Sequence, residues 1–292
     1  MVQRDDLGRL WVDVKYASVA RTNSISSLEL LNKRLLTVLL GLLLPIASLM
    51  YLAPVNALPV CGTITASTYN FAGCTGGTLT IGASNINLGC RSGAKITVTG
   101  SYGIQVLGLS HVNIFGCKVT GATIAGFYIY QGSFNSLTND NATLNGAYGF
   151  AIDASFANIL VGNVAIRNSQ GFLVDLSNNN TLVSNKATSN QYGFNVNTSS
   201  FNVLSVNTAT SSTQTGFILE SASSNIITDN TANTNGPYGF YIDGTSVGNV
   251  VVGNTARGNS VLNADNLAGT ANNFHTSLDS GIKTPYSGLQ SP

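Results

Sequence analysis

Between Gly103 and Phe240, apolar and polar positions follow a pattern that returns to itself. A Gly followed by an apolar residue stands at Gly103, Gly126, Gly149, Gly171, Gly193, Gly216 and Gly239, at spacings of 23, 23, 22, 22, 23 and 23 residues. A period in this range predicts a solenoid, whose rungs cannot bury their apolar faces alone and do so by stacking. Positions one period apart then become spatial neighbours, and function has to be sought in columns.

Within each rung the alternation predicts three short extended segments separated by polar corners, and no stretch has the length or spacing of a helix. Alternate strand residues share a face, so Phe127 and Ile129, Phe150 and Ile152, Phe172 and Val174, Phe194 and Val196, Phe217 and Leu219, and Phe240 and Ile242 are expected to point inward together. Asn recurs at Asn113, Asn135, Asn158, Asn180, Asn202, Asn225 and Asn249, then at Asn163, Asn185, Asn207, Asn230 and Asn254, and again at Asn145, Asn168, Asn190, Asn235 and Asn259. These columns are expected at corners, where Asn tolerates left-handed backbone and its amide can bond the same amide one rung away. A leucine-rich repeat has a similar period but needs a Leu scaffold, whereas Thr, Ser, Asn and Gly dominate here. The fold class is therefore all-β, a right-handed parallel β-helix, since parallel crossovers are right-handed in about 98% of cases. About eight rungs would span ~40 Å at the spacing of stacked strands.

The first sixty residues have a different composition. Lys33 and Arg34 precede an apolar run from Leu35 to Leu52, and Val55 and Ala57 fit a signal-peptidase site. Residues 1–57 are read as a leader with a signal peptide or membrane anchor, 58–275 as the β-helix and 276–292 as a loose tail. Either form of the leader places the repeats outside the cytoplasm, secreted or at the cell surface, with membrane contact only through the apolar segment. Beyond residue 57 there is no Met or Trp, and four Cys remain: Cys61, Cys74, Cys90 and Cys117. In an exported chain they read as two disulfides, with no close Cys spacing for zinc. Of the three connectivities, Cys61 with Cys74 and Cys90 with Cys117 is preferred because it staples the blunt N-terminal end, where an open sheet edge invites aggregation. Charged residues are 9% of the chain and the net charge is +1, too little basic character for a nucleic-acid partner.

Rungs such as Gly149 to Asp153 (Gly-Phe-Ala-Ile-Asp), Asn158 to Asn163 (Asn-Ile-Leu-Val-Gly-Asn) and Val164 to Asn168 (Val-Ala-Ile-Arg-Asn) resemble the β-helix repeats of NosD-like and CASH (carbohydrate-binding and sugar hydrolase) proteins. The head segment, with Cys61, Cys74 and Leu79 to Leu88, is similar to secreted members, and the resemblance covers about residues 60 to 275. It implies a secreted or surface protein that touches polysaccharide or a cell-envelope glycan. NosD itself is associated with copper-site maturation, but the mature part offers only His111 and His275 and no Met, so no metal is assigned. His111 is read as a corner residue. The triplets Tyr148-Gly-Phe, Tyr192-Gly-Phe and Tyr238-Gly-Phe resemble part of the motif of β-helical alginate epimerases, without the Asp-Pro-His that follows there, and that activity is not carried over.

One column could carry chemistry. The outward residues of the first strand are Gln105 and Leu107, Tyr128 and Tyr130, Ala151 and Asp153, Leu173 and Asp175, Asn195 and Asn197, Ile218 and Glu220, and Tyr241 and Asp243. Stacking would put Asp153 beside Asp175 and Glu220 beside Asp243. The file holds four of the eight carboxylates beyond residue 57, the others being Asp140, Asp229, Asp265 and Asp279. Tyr128, Tyr130 and Tyr241 offer aromatic faces for pyranose rings. The leading expectation is non-catalytic glycan binding by Tyr128, Tyr130, Asp153, Asp175, Asn197, Glu220, Tyr241 and Asp243, with no cofactor apart from an optional Ca²⁺ between neighbouring carboxylates. The alternatives are a glycoside hydrolase-like enzyme using Asp153 and Asp175 as paired acids, and a structural envelope or adhesion scaffold.

Overall fold

The computed structural model describes residues 57–278, together with an antiparallel pairing of Gln3–Arg4 with Leu10–Trp11. The apolar run from Leu35 to Leu52 lies outside the described residues, as does the tail beyond residue 278. Backbone contacts divide the chain into two compact units, Met1–Ala57 and Leu58–Pro292.

Each rung is three parallel-paired strands. In one rung these are Tyr148–Asp153, Ile159–Val161 and Val164–Ile166, and in the next Gln170–Asp175, Thr181–Val183 and Lys186–Thr188. Phe150 pairs with Phe172 and Ile152 with Val174, so the register is the one the sequence period demands. The first strands form a 10-stranded sheet. The second and third strands join into one 16-stranded sheet because Asn87–Val98 and Val250–Arg257, near its two ends, run through the corner between them. Ten first strands exceed the expected eight or so because the end strands Thr63–Ile64, Leu79–Ile81 and Leu262–Asn266 lack the phrase of Gly and a following apolar residue that marks the others. Strand Asn273–Leu278, paired with Val250–Arg257, also carries the solenoid past the boundary expected at residue 275.

The six Phe side chains stack down the core with ring centroids 4.6–4.8 Å apart and planes within 12° of parallel. All are fully buried. Opposite them the third strands contribute Ala142, Ala165, Ala187, Ala209, Ala232 and Ala256, also fully buried. The preceding Gly is required by space: a Cβ at Gly149 would lie 2.6 Å from the Gly171 carbonyl oxygen and 2.9 Å from the Ala165 Cβ.

The Asn columns are amide ladders. From Asn135 through Asn158, Asn180, Asn202, Asn225 and Asn249 to Asn272, each Nδ2 donates to the Oδ1 of the next at 3.0–3.1 Å. The backbone N–H of each lower Asn donates to the same oxygen. A second ladder runs from Asn163 to Asn254, and a third from Asn145 to Asn259 is interrupted where Ser212 replaces Asn. Asn113 does not belong to the first column. Val112 takes that place, its N–H bonding Asn135 Oδ1, while the exposed Asn113 bonds Asn87. The expectation that the ladder Asn residues are themselves left-handed is also corrected, because the residue before each one turns the chain: Ala157 (φ 54), Gly162 (φ 67) and Arg167 (φ 55) precede Asn158, Asn163 and Asn168. The Asn is thereby left free to aim its amide inward, along the axis. A shorter Ser ladder, Ser155, Ser177 and Ser199, lines the corner after the first strand; its members are spaced 22 residues apart but escape notice in a Ser-rich chain.

Val206 occupies one of these left-handed corner positions at φ 58 and is exposed. A β-branched residue is strained there, whereas the equivalent corners use Asn139, Gly162, Ser184, Asp229 and Gly253. Val206→Asn should therefore raise stability by about 1 kcal/mol in denaturant melts.

Cys61 is bonded to Cys74 and Cys90 to Cys117, with Cα atoms 4.9 Å apart in each pair. Both bonds lie at the N-terminal end, where they fasten strands that carry no Phe column.

Candidate functional site

The outer face of the first strands is not an evenly exposed surface. Its central column, Tyr128, Ala151, Leu173, Asn195, Ile218 and Tyr241, is in register across successive rungs. The four middle members are buried, Leu173 to 9% exposure and Asn195 to 8%. Ala125, Ala151 and Leu173 form a small apolar cluster outside the main core, packed against Tyr102, Tyr128 and Tyr148. To one side of this floor stand Tyr148, Gln170 and Tyr192 in register, with Tyr238 farther along. To the other side runs the half-exposed file of Tyr130, Asp153, Asp175, Asn197 and Glu220. This strip along the solenoid axis, which we term the trough, has a buried and mostly apolar floor, a phenolic margin and an acid-amide margin.

The expected site residues are brought together in unequal ways. Asp153 and Asp175 are direct register partners. Asp153 accepts a 2.9 Å hydrogen bond from the Tyr128 hydroxyl. Burial first, and the Asp153 carboxyl second, push that hydroxyl well above the ordinary tyrosine range. Tyr128 also stacks on Tyr102 at 4.4 Å, so one of its faces is already covered, and Tyr130 is the more open platform. Asp175 accepts from Asn197 Nδ2 at 2.8 Å, and Glu220 accepts from Asn195 Nδ2 at 3.2 Å. Tyr241 lies against Tyr238 and pairs in register with Asp265. Burial, then the neighbouring Asp265, raises the affinity of the Tyr241 hydroxyl for its proton.

Asp243 does not join the file. Its strand ends at Ile242, and the Asp243 carboxylate closes a turn, accepting from Thr245 N–H at 3.1 Å, Ser246 N–H at 2.8 Å and Ser221 N–H at 3.0 Å. Burial alone would raise its proton affinity, but these bonds and the Ser246 and Thr245 hydroxyls outweigh it and hold the group below the usual carboxylate range. Glu220 therefore has no free acid beside it on that side, and its strand partner is Asn197.

Residues 86–288 match the family described as Periplasmic copper-binding protein (NosD). The chain belongs to the NosD family. Family membership and the two disulfides together indicate an extracytoplasmic location. No curated protein matches the sequence. Among solved structures, a mutant of the periplasmic alginate epimerase AlgG shares 14% identity at a TM-score of 0.55, covering 66% of this chain and 55% of its own. The A-module of the Azotobacter vinelandii mannuronan C-5 epimerase AlgE6 shares 18% at 0.56, with 75% and 69% covered. Pectate lyase Pel9A shares 20% at 0.55, with 80% and 69% covered. These likenesses are of fold. This NosD-family chain spans little more than half the length of the first of them.

The family's copper does not fit the donors present. Soft copper ligands are thiolate, thioether and imidazole, yet all four Cys are in disulfides and residues 58–292 contain no Met. His111 stacks on Phe134 in an early rung while His275 lies on the last strand, Asn273–Leu278. Among the described residues no group of three or more His, Cys, Asp or Glu could hold a metal ion. A cavity of about 510 Å³ does exist at the C-terminal end, lined by Asn249, Asn272, Phe274 and His275 among others, and it is separate from the trough.

Proposed function

We propose that this NosD-family β-helix is a secreted or cell-surface glycan-binding module that holds a saccharide chain along the first-strand trough without cleaving it. The observation that carries the reading is the combination of a buried apolar floor with flanking tyrosines and a ledge of acids and amides. Sugar rings present apolar faces and polar rims, and such a trough meets both at once. The fold likeness to proteins named as alginate epimerases and a pectate lyase agrees with a glycan partner. Against turnover, Asp153 and Asp175 already accept hydrogen bonds from Tyr128 and Asn197, and no Lys or Arg stands in the file to act as a lyase base.

Calorimetry on a panel of neutral, acidic and amino glycans should find binding that Tyr130→Ala and Asp175→Asn each weaken by about tenfold, with unchanged melting temperature. Absence of binding to every glycan would make the face a solvated surface and the protein a scaffold. Release of reducing ends, abolished by Asp153→Asn, would establish the hydrolase reading through the one directly paired set of acids.

A further inference from the structure

The trough contains an unused acceptor. Asn195 sits on its floor between Leu173 and Ile218, nine-tenths buried, and its Oδ1 has no hydrogen-bond partner. Rotating the amide does not cure this, because Nδ2 is held by Glu220 Oε2 at 3.2 Å and a flip would set oxygen against the carboxylate. An orphaned buried carbonyl calls for a donor from outside the chain. Around it every ionisable neighbour on the ledge is an acid: Glu220 on the adjoining rung, and Asp175 and Asp153 on preceding ones. No Lys or Arg belongs to the floor or to either margin.

Resting on the glycan-binding reading, we propose that the trough selects saccharides bearing free amino groups, seating one ammonium between Glu220 and the Asn195 Oδ1. An ammonium carries three donors and no acceptor, so it can satisfy the carboxylate and the orphaned carbonyl together. Glu220 is half-exposed, and its carboxylate keeps the Asn195 Nδ2 on Oε2 while Oε1 accepts from the ligand ammonium, so the amide orientation that presents Oδ1 is retained. Asp175, two rungs away at about 10 Å along the axis, takes the amino group of another unit of the same polymer. A polyuronate brings only negative charge to this ledge and is repelled. The trough is thereby suited to a cationic sugar polymer, the opposite charge class from alginate or pectate.

The test is calorimetry with glucosamine oligomers, their N-acetylated counterparts and oligogalacturonate of equal length, at about pH 6, below the ordinary range of amines, and at two salt concentrations. Wild type should bind the glucosamine oligomer at least tenfold more tightly than the N-acetylated one, with the difference shrinking at high salt, and should not bind oligogalacturonate. Glu220→Gln and Asn195→Leu should each collapse that preference toward unity. Asn195→Leu continues the apolar floor and should melt no lower than wild type, so a lost preference is not lost folding. Equal binding of both oligomers, or preference for the uronate, overturns amino-sugar selection while leaving glycan binding intact. Failure of all three probes to bind, together with no binding in the wider panel, removes both readings.

Discussion

Phe194→Ala should lower the free energy of unfolding by about 3–5 kcal/mol in denaturant melts. Phe194 lies in the middle of the file, with rings 4.7 and 4.6 Å away on Phe172 and Phe217. Truncation leaves a void that neither neighbour can fill, since each is fixed in register by its own strand pairing. A solenoid transmits stability between nearest neighbours, so a weak central rung also lowers the coupling of the two halves. The transition should broaden or split in the variant. A loss below half a kcal/mol would contradict an inward-facing Phe column.

The second large effect is a gain. Asp140 heads the second amide ladder: its Oδ1 accepts the Cys117 N–H at 2.7 Å, and its own N–H bonds Asn163 Oδ1 at 2.9 Å. The other oxygen is buried with no partner, at the place where other members of the ladder present an Nδ2 donor. Burial pushes this carboxyl up to about 8, against the hydrogen bonds from the Cys117 and Thr138 backbone, which pull the other way. Its unfolded value is near 3.9, so between about pH 4 and pH 8 the native state binds the extra proton and stability falls as pH rises through that window. Asp140→Asn replaces the proton with a permanent donor. The variant should match wild type near pH 4 and exceed it by about 3 kcal/mol near pH 8, discounted from the full shift because buried sites relax. Melts across that range showing a constant difference, or a deficit at pH 8, would refute the neutral-acid assignment.

Much of this was legible in the sequence because a solenoid converts spacing directly into contact. Phe127 to Phe240 could be assigned to the core from the 22–23 residue period alone, and every one is buried. Asp140 was equally available, standing one period before Asn163, but a search for Asn by type passes over an acid doing an amide's work. Asn113 misled for the opposite reason, being the right residue one position out of register beside Val112. The trough was less legible. Alternation marks Ala151, Leu173, Asn195 and Ile218 as outward, and they are, but the burial of Ala151 and Leu173 depends on the Tyr102, Tyr128 and Tyr148 side chains packed against them. Asp243 shows the same limit, since one residue past the end of its strand the carboxylate turns back to Thr245 and Ser246.

The amide ladders carry a consequence at the scale of the whole solenoid. In all three, the amide-to-amide bonds and the ladder backbone N–H bonds to Oδ1 run from the lower-numbered rung to the higher, while the other Nδ2 hydrogen donates to a backbone carbonyl of the preceding rung. Parallel sheet pairing contributes little net moment, whereas these side-chain amides all have the same sense and their dipoles add along the axis, each bond polarising the next. The β-helix is therefore an electrically polar rod, with its positive pole at the C-terminal end, where Asn249 and Asn272 border the open cavity, and its negative pole at the disulfide-bonded end. A second molecule approaching end to end meets a head-to-tail attraction and a head-to-head repulsion before any side chain touches.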